Sequence, residues 1–270
     1  YKRAEKYVNR PAFQGGIQML GKLIKHELKA MLNKFSIIGI IFLIVAVIVR
    51  VMTLFQNQLE DSISFMMSFV FITSAFMIGL VGLNFFALFI SVSRFQKNLF
   101  GDEGYLMHTL PVPSYYHIIT KFVSGLVTWI VAVIIDGVSI SIAFFGVDEI
   151  SEIFKAINDL FYVCIHYPVQ AFSMFLTIAT AYCALIFLCY LCVSITNSIP
   201  KGKSLINALI VIGAIIVNNI ITSLIMNIAI ELGVTSPTSA ALIYAGYFAI
   251  VSVAFFFFTN MIMTRNLNLE

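Results

Sequence analysis

Phe35-Ser-Ile-Ile-Gly-Ile-Ile-Phe-Leu-Ile-Val-Ala-Val-Ile-Val-Arg-Val-Met-Thr-Leu-Phe55 holds a single charge, Arg50, in a run long enough to cross a bilayer as a helix. About 20 apolar residues suffice for one crossing. Five further runs meet the same test: Phe65–Val92, Phe122–Phe145, Val169–Ile195, Leu205–Ile230 and Ala240–Met263. All are continuously apolar rather than alternating, which excludes the strands of a membrane barrel. The whole chain of 270 residues agrees, with 60% hydrophobic and 11% charged residues and a mean hydropathy of +0.99. Soluble domains average about 25% charged, and a soluble fold of this length has too little interior for so much apolar surface. The expected fold is an all-α membrane protein with six transmembrane helices and no room for a sizeable soluble domain.

Lys and Arg orient the spans. Of the 16 basic residues, all but Arg50 and Lys155 fall before the first run, between the second and third, between the fourth and fifth, or after the sixth. The opposite loops carry Glu60, Asp61, Asp148, Glu149, Glu152, Asp159 and Glu231. Both termini are therefore expected on the cytoplasmic side. The net charge of +3 hides this polarity across the membrane and does not signal nucleic-acid binding.

Residues 1–18 are polar, basic and glycine-punctuated, unlike the rest, and read as a polar tail or expression remnant before Met19. From there Leu20, Leu23, Ile24, Leu28, Met31 and Phe35 recur at helical spacing, with Lys22, Lys25, His26, Lys29 and Asn33 on the other face. This pattern predicts an amphipathic helix over 19–34 lying in the membrane interface, lysines toward anionic lipid headgroups. A soluble helix packed on a partner has the same periodicity. A second stripe, Ile150, Ile153, Phe154, Ile157, Leu160, Phe161 and Cys164, predicts an amphipathic outer segment over 146–168.

Chemistry-bearing motifs are sparse. Cys189 and Cys192 form a CxxC with no second Cys or His pair to complete a zinc site, and read as packing residues. Gly202-Lys203-Ser204 looks like the end of a phosphate-binding loop, but Asn197 occupies the position of the required glycine and an apolar run replaces the strand. Asp102 and Glu103 are neighbours, so on a helix they point in different directions. No enzyme is expected in this chain, and none of its residues is assigned a catalytic, cofactor or metal role. Inside the spans, Arg50 and Asp136 lie at similar depths counted from the starts of their runs, about 22 and 21 Å at 1.5 Å per residue. An intramembrane charge pair is expected between them, with snorkelling of Arg50 as the alternative.

The densest signals lie over 94–121. Gly101 and Gly104 bracket Asp102 and Glu103, Tyr105, Leu106 and Leu110 supply apolar knobs, and Pro111 and Pro113 force extended backbone before Ser114. The core Phe100-Gly-Asp-Glu-Gly-Tyr-Leu106, the turn Thr109-Leu-Pro-Val-Pro113 and the closing Lys121 resemble ABC-2-type transporter permeases of Gram-positive bacteria. The lysine-rich helix from Met19, similar to that family's elbow helix, and the ending Arg265-Asn-Leu-Asn-Leu-Glu270 agree with it. The resemblance implies a multi-pass permease subunit of an ATP-binding cassette exporter in the bacterial plasma membrane, spanning 19–270. It implies pairing with a second permease copy or homologue, and two separate ATPase subunits that bind the ATP and magnesium. Residues Gly101 to Pro113 would then dock the ATPase as a coupling helix, with Gly101, Asp102, Glu103, Gly104, Tyr105, Leu106, Leu110 and Pro111 at the contact. Few charges in the spans favour an amphipathic, lipid-like or peptide cargo. An ATP-independent channel or secondary transporter is the alternative. The connection between the last two runs, Glu231–Ser239, is shorter than the re-entrant hairpin of well-known exporters in that family.

Overall fold

The computed structural model describes residues 12–55, 62–101, 114–144, 150–198, 203–234 and 236–265. Among these the protein is helical throughout: α1 (Ala12–Phe55), α2 (Ile63–Phe100), α3 (Ser114–Phe144), α4 (Ile150–His166), α5 (Pro168–Asn197), α6 (Lys203–Glu231) and α7 (Pro237–Arg265). All but α4 are long and apolar enough to cross a membrane, and each carries the described residues of one of the six apolar runs. The protein is a multi-pass membrane protein, as the runs require.

The amphipathic stretch 19–34 and the first span belong to one continuous helix of 44 residues. No proline interrupts them, and the inward-facing positions continue without a break from Glu27 through Met31 and Phe35 to Ala46 and Val49. At 1.5 Å per residue α1 is about 66 Å long, roughly twice the hydrocarbon thickness. Its first half therefore extends beyond the bilayer or along its surface.

Two groups of helices make up the bundle. In the first, α1 packs most extensively on α3, with α2 against both. Met31, Phe35, Leu83, Ala87, Ile90 and Ala132 form one core, and Ala46, Val49, Phe76 and Ala143 a second, further along. The stacked Phe42 and Phe76 rings, 5.2 Å apart, link the two. In the second group, α5 and α7 share the largest interface in the molecule, while α6 touches them lightly and has just one buried residue, Ala229, among those described. A third core joins the groups through Phe95 and Leu99 of α2, Ile118 of α3, Tyr190 and Val193 of α5 and Met263 of α7. These lie where α2, α5 and α7 end and α3 begins, so the lysine- and arginine-bearing ends gather at one end of the bundle. CxxC reads as packing here too: Cys189 belongs to this core, and Cys189 and Cys192 are buried free thiols.

At the opposite end, α6 stops at Gly233, the one positive-φ residue among those described (φ 86°). Its N–H donates to Ile230 O and that of Val234 to Ala229 O, both at 3.0 Å, the paired closure that a left-handed glycine permits. Ser236 then caps α7, its Oγ accepting the N–H of Ser239 at 3.2 Å, with Pro237 at the first helical position. Of the amphipathic segment expected over 146–168, Ile150–His166 fold as α4. Phe161 and Ile165 are exposed on it, and the His166 ring rests on Tyr162, centroids 3.7 Å apart.

Candidate functional site: the base of the 102–113 loop

Of the residues expected to dock an ATPase, Gly101 is described. Asp102, Glu103, Gly104, Tyr105, Leu106, Leu110 and Pro111 lie outside the described residues, as does the turn to Pro113. The two stems that carry this loop, α2 up to Gly101 and α3 from Ser114, are among the described residues. Gly101 ends α2 with its N–H donating to Lys97 O at 3.1 Å. A Cβ at this position would stand 2.5 Å from that same carbonyl oxygen, so the close approach requires glycine.

About two turns back along α2, the Arg94 guanidinium grips Glu27 of α1 through both its Nε and its Nη2, the latter at 3.2 Å. From the first turns of α3, Lys121 Nζ reaches Glu27 Oε2 at 2.6 Å. Glu27 is 6% exposed and Lys121 2%. A single carboxylate thus ties both stems of the loop to α1, just outside the apolar runs that begin at Phe35 and Phe122. Burial pushes the Glu27 carboxyl up, but the hydrogen bond from Arg94 and the charge of Lys121 outweigh it, and its pKa lies below the ordinary 4.5.

Apolar packing stiffens the same stems. Phe95 lies flat on Tyr190 of α5, ring centroids 4.0 Å apart and planes 8° from parallel. The Tyr190 hydroxyl shares a 2.7 Å hydrogen bond with Ser91 of α2. Gly125 of α3 lets α2 come this close, since a Cβ there would stand 2.5 Å from Ser91 Oγ and 3.2 Å from Ser91 Cβ. Gly125→Ala is expected to lose about 1–3 kcal/mol by overpacking, read as a lower unfolding midpoint in detergent. Adding Ser91→Ala should recover part of that loss, although it removes the Tyr190 contact.

Sequence reading missed Glu27. The signal was present: it is the one acid among the lysines of 19–34, and it falls on the apolar face, four residues before Met31 and four after Leu23.

Arg50 and Asp136 do not pair. Among the described residues, the Lys or Arg ion pairs are those of Glu27, and Asp136 Oδ2 instead accepts the side-chain N–H of Asn84 from α2 at 2.6 Å. The reason is register. Gly39 of α1 sits against Ile135 of α3, and Ala46 and Val49 share a core with Ala143. Asp136 is therefore level with residue 40 of α1, some ten residues or about 15 Å short of Arg50. Counting each charge from the start of its own run hid this offset, because the run of α3 begins about nine residues nearer the basic end. The paired asparagines divide as their spacing requires: Asn218 accepts the Tyr247 hydroxyl from α7 at 2.9 Å, while Asn219 donates back to Ile215 O.

At the end away from the basic residues, α5 and α7 leave an apolar groove of about 460 Å³ edged by Gln170, Ser173, Thr177 and Tyr244. Thr177 Oγ1 closes its floor by donating to Ala241 O at 2.8 Å. Among the described residues no three His, Cys, Asp or Glu side chains gather as metal ligands do. No family model, curated protein or solved structure matches the chain.

Proposed function

We propose that this chain is the membrane-spanning permease subunit of an ATP-binding cassette exporter, driven by ATP hydrolysis in separate subunits. The observation that carries the reading is the Glu27 clamp beneath the loop that resembles a coupling helix. A loop that receives a push from a motor protein needs stems that move with the bundle rather than fray. Here α2 and α3 are joined to each other and to α1 through one carboxylate, and α2 is locked to α5 through Phe95 and Tyr190. Displacement of the loop would then pass to helices of both groups as a rigid rearrangement between two states.

In this reading the basic end faces the cytoplasm, following the distribution of Lys and Arg. Asp102 to Leu106 contact the ATPase, a second permease copy or homologue completes the pathway, and the membrane is the bacterial plasma membrane. The cargo is amphipathic, lipid-like or peptidic, in keeping with the apolar groove between α5 and α7. ATP and magnesium belong to the partner.

Replacing Asp102–Leu106 with alanines tests the assignment. Association with an ATPase on purification from the native membrane should be abolished, with membrane insertion unchanged. With Cys164, the exposed free thiol of α4, first replaced by serine, a cysteine placed at Gly104 should be labelled by an impermeant thiol reagent only after the cells are opened. Labelling in intact cells, or ATPase association that survives the alanines, refutes the reading and leaves an ATP-independent channel or carrier in its place.

A further inference from the structure

Across the six apolar runs a single position carries a carboxyl group, Asp136 in the second half of α3. Asn84 donates one amide N–H to its Oδ2 at 2.6 Å and is itself anchored to Leu80 O at 3.0 Å. The other oxygen, Oδ1, is buried and has no hydrogen-bond partner among the described residues. One turn further along α3, Ser139 is fully buried and its hydroxyl too lacks a partner there. That is unusual in this bundle, where Ser124, Thr128 and Ser141 of the same helix all return a hydrogen bond to the carbonyl four residues back.

Among the described residues no cation stands close enough to balance a negative charge. From α1 the neighbouring residue is Gly39, and the nearest charges on that helix are Lys34 and Arg50, both turns away. From α2 it is Asn84, with Arg94 nearly three turns beyond. Along α3 itself the nearest titratable groups are Lys121 and His117, about four turns or more toward the basic end. Of the other helices packed on α3, α5 holds no charged residue, its titratable groups being Tyr182, Tyr190 and three cysteines, and α7 holds Tyr244, Tyr247 and Arg265. One neutral amide donor does not replace the hydration that a carboxylate loses in hydrocarbon.

We infer that Asp136 and Asn84 form a proton-binding site inside the bilayer, Asn84 holding one carboxyl oxygen while the other carries the proton. Ser139, three residues on and so on the same helix face, supplies an unused hydroxyl acceptor to that turn. The site holds whether or not an ATPase docks at the loop, and its test does not involve one.

The test uses the full chain in phosphatidylcholine vesicles. Dicyclohexylcarbodiimide enters the bilayer and adds to protonated carboxyl groups, and mass spectrometry of the Asp136 peptide reads the adduct. Labelling is expected near neutral pH, fading as the pH is raised and absent in D136N. In the unaltered chain carrying carbon-13 aspartate, infrared spectra should show an isotope-shifted carbonyl stretch of a protonated carboxyl at neutral pH, which covers the case of a variant that fails to fold. R50Q should leave the labelling profile where it was. Absence of both the adduct and the protonated stretch overturns the proposal, and so does a profile that moves in R50Q, which would make Arg50 the counterion.

Discussion

Glu27→Ala is expected to destabilise the protein by about 3–5 kcal/mol, the cost of breaking a buried ion pair by removing one partner. The magnitude follows from position. An exposed pair would be worth at most about 1 kcal/mol, but Glu27 and Lys121 are almost wholly withdrawn from solvent, and Arg94 and Lys121 share the one carboxylate. Glu27→Gln should do nearly as much harm, since it keeps the volume and loses the charge. Replacing Glu27, Arg94 and Lys121 together with methionine should restore most of the stability, because a well-packed apolar core does not bear the desolvation of three charges. The same triple variant should lose transport, if the clamp serves to couple the loop. Unfolding midpoints in detergent read the first effect, and a loss below 1 kcal/mol for both single variants would mean that the cluster behaves as a surface pair. Acid should mimic the single variants. The folded pKa of Glu27 is depressed, so its contribution is complete above the ordinary carboxylate value and disappears as the pH falls through the lower folded one.

The second large effect is expected at Tyr190. Truncation to alanine removes the ring stacked on Phe95 and edge-on to Phe187, and should cost about 3 kcal/mol. That is the low end for a buried aromatic, because lipid offers no hydrophobic gain and only packing is lost. Tyr190→Phe retains the stack and loses only the Ser91 hydrogen bond, so it should cost about 0.6 kcal/mol, as interhelical hydrogen bonds in membranes do. The ratio between the two variants, measured by unfolding in detergent, separates packing from hydrogen bonding. Equal losses would show that the hydroxyl, not the ring, joins α2 to α5.

Membrane spans were legible because length and continuous apolarity alone define them, and the described residues of each run fall in one helix. Properties that depend on the height of one helix against another were not. The pairing of Arg50 with Asp136 failed on a shift of some ten residues between α1 and α3, which the contact of Gly39 with Ile135 sets and no single run reveals. The continuity of α1 was hidden for a related reason. Periodicity shows which face of 19–34 is apolar, but not that the face continues unbroken into the span and packs on α2. Glu27 was readable as an acid on an apolar face, yet its partners sit far along the chain on Arg94 and Lys121, beyond the reach of local pattern. The loop's own resemblance, carried by Gly101 through Pro113, remains a matter of sequence.

The unbroken length of α1 has a mechanical consequence. If Glu27 acts as its fulcrum, the arm toward Phe55 is roughly twice as long as the arm toward Ala12, at 1.5 Å per residue. A one-ångström nudge to the short, lysine-bearing arm would then swing the far tip by about two, so a pull of headgroups at one face of the membrane would displace the helix end at the other.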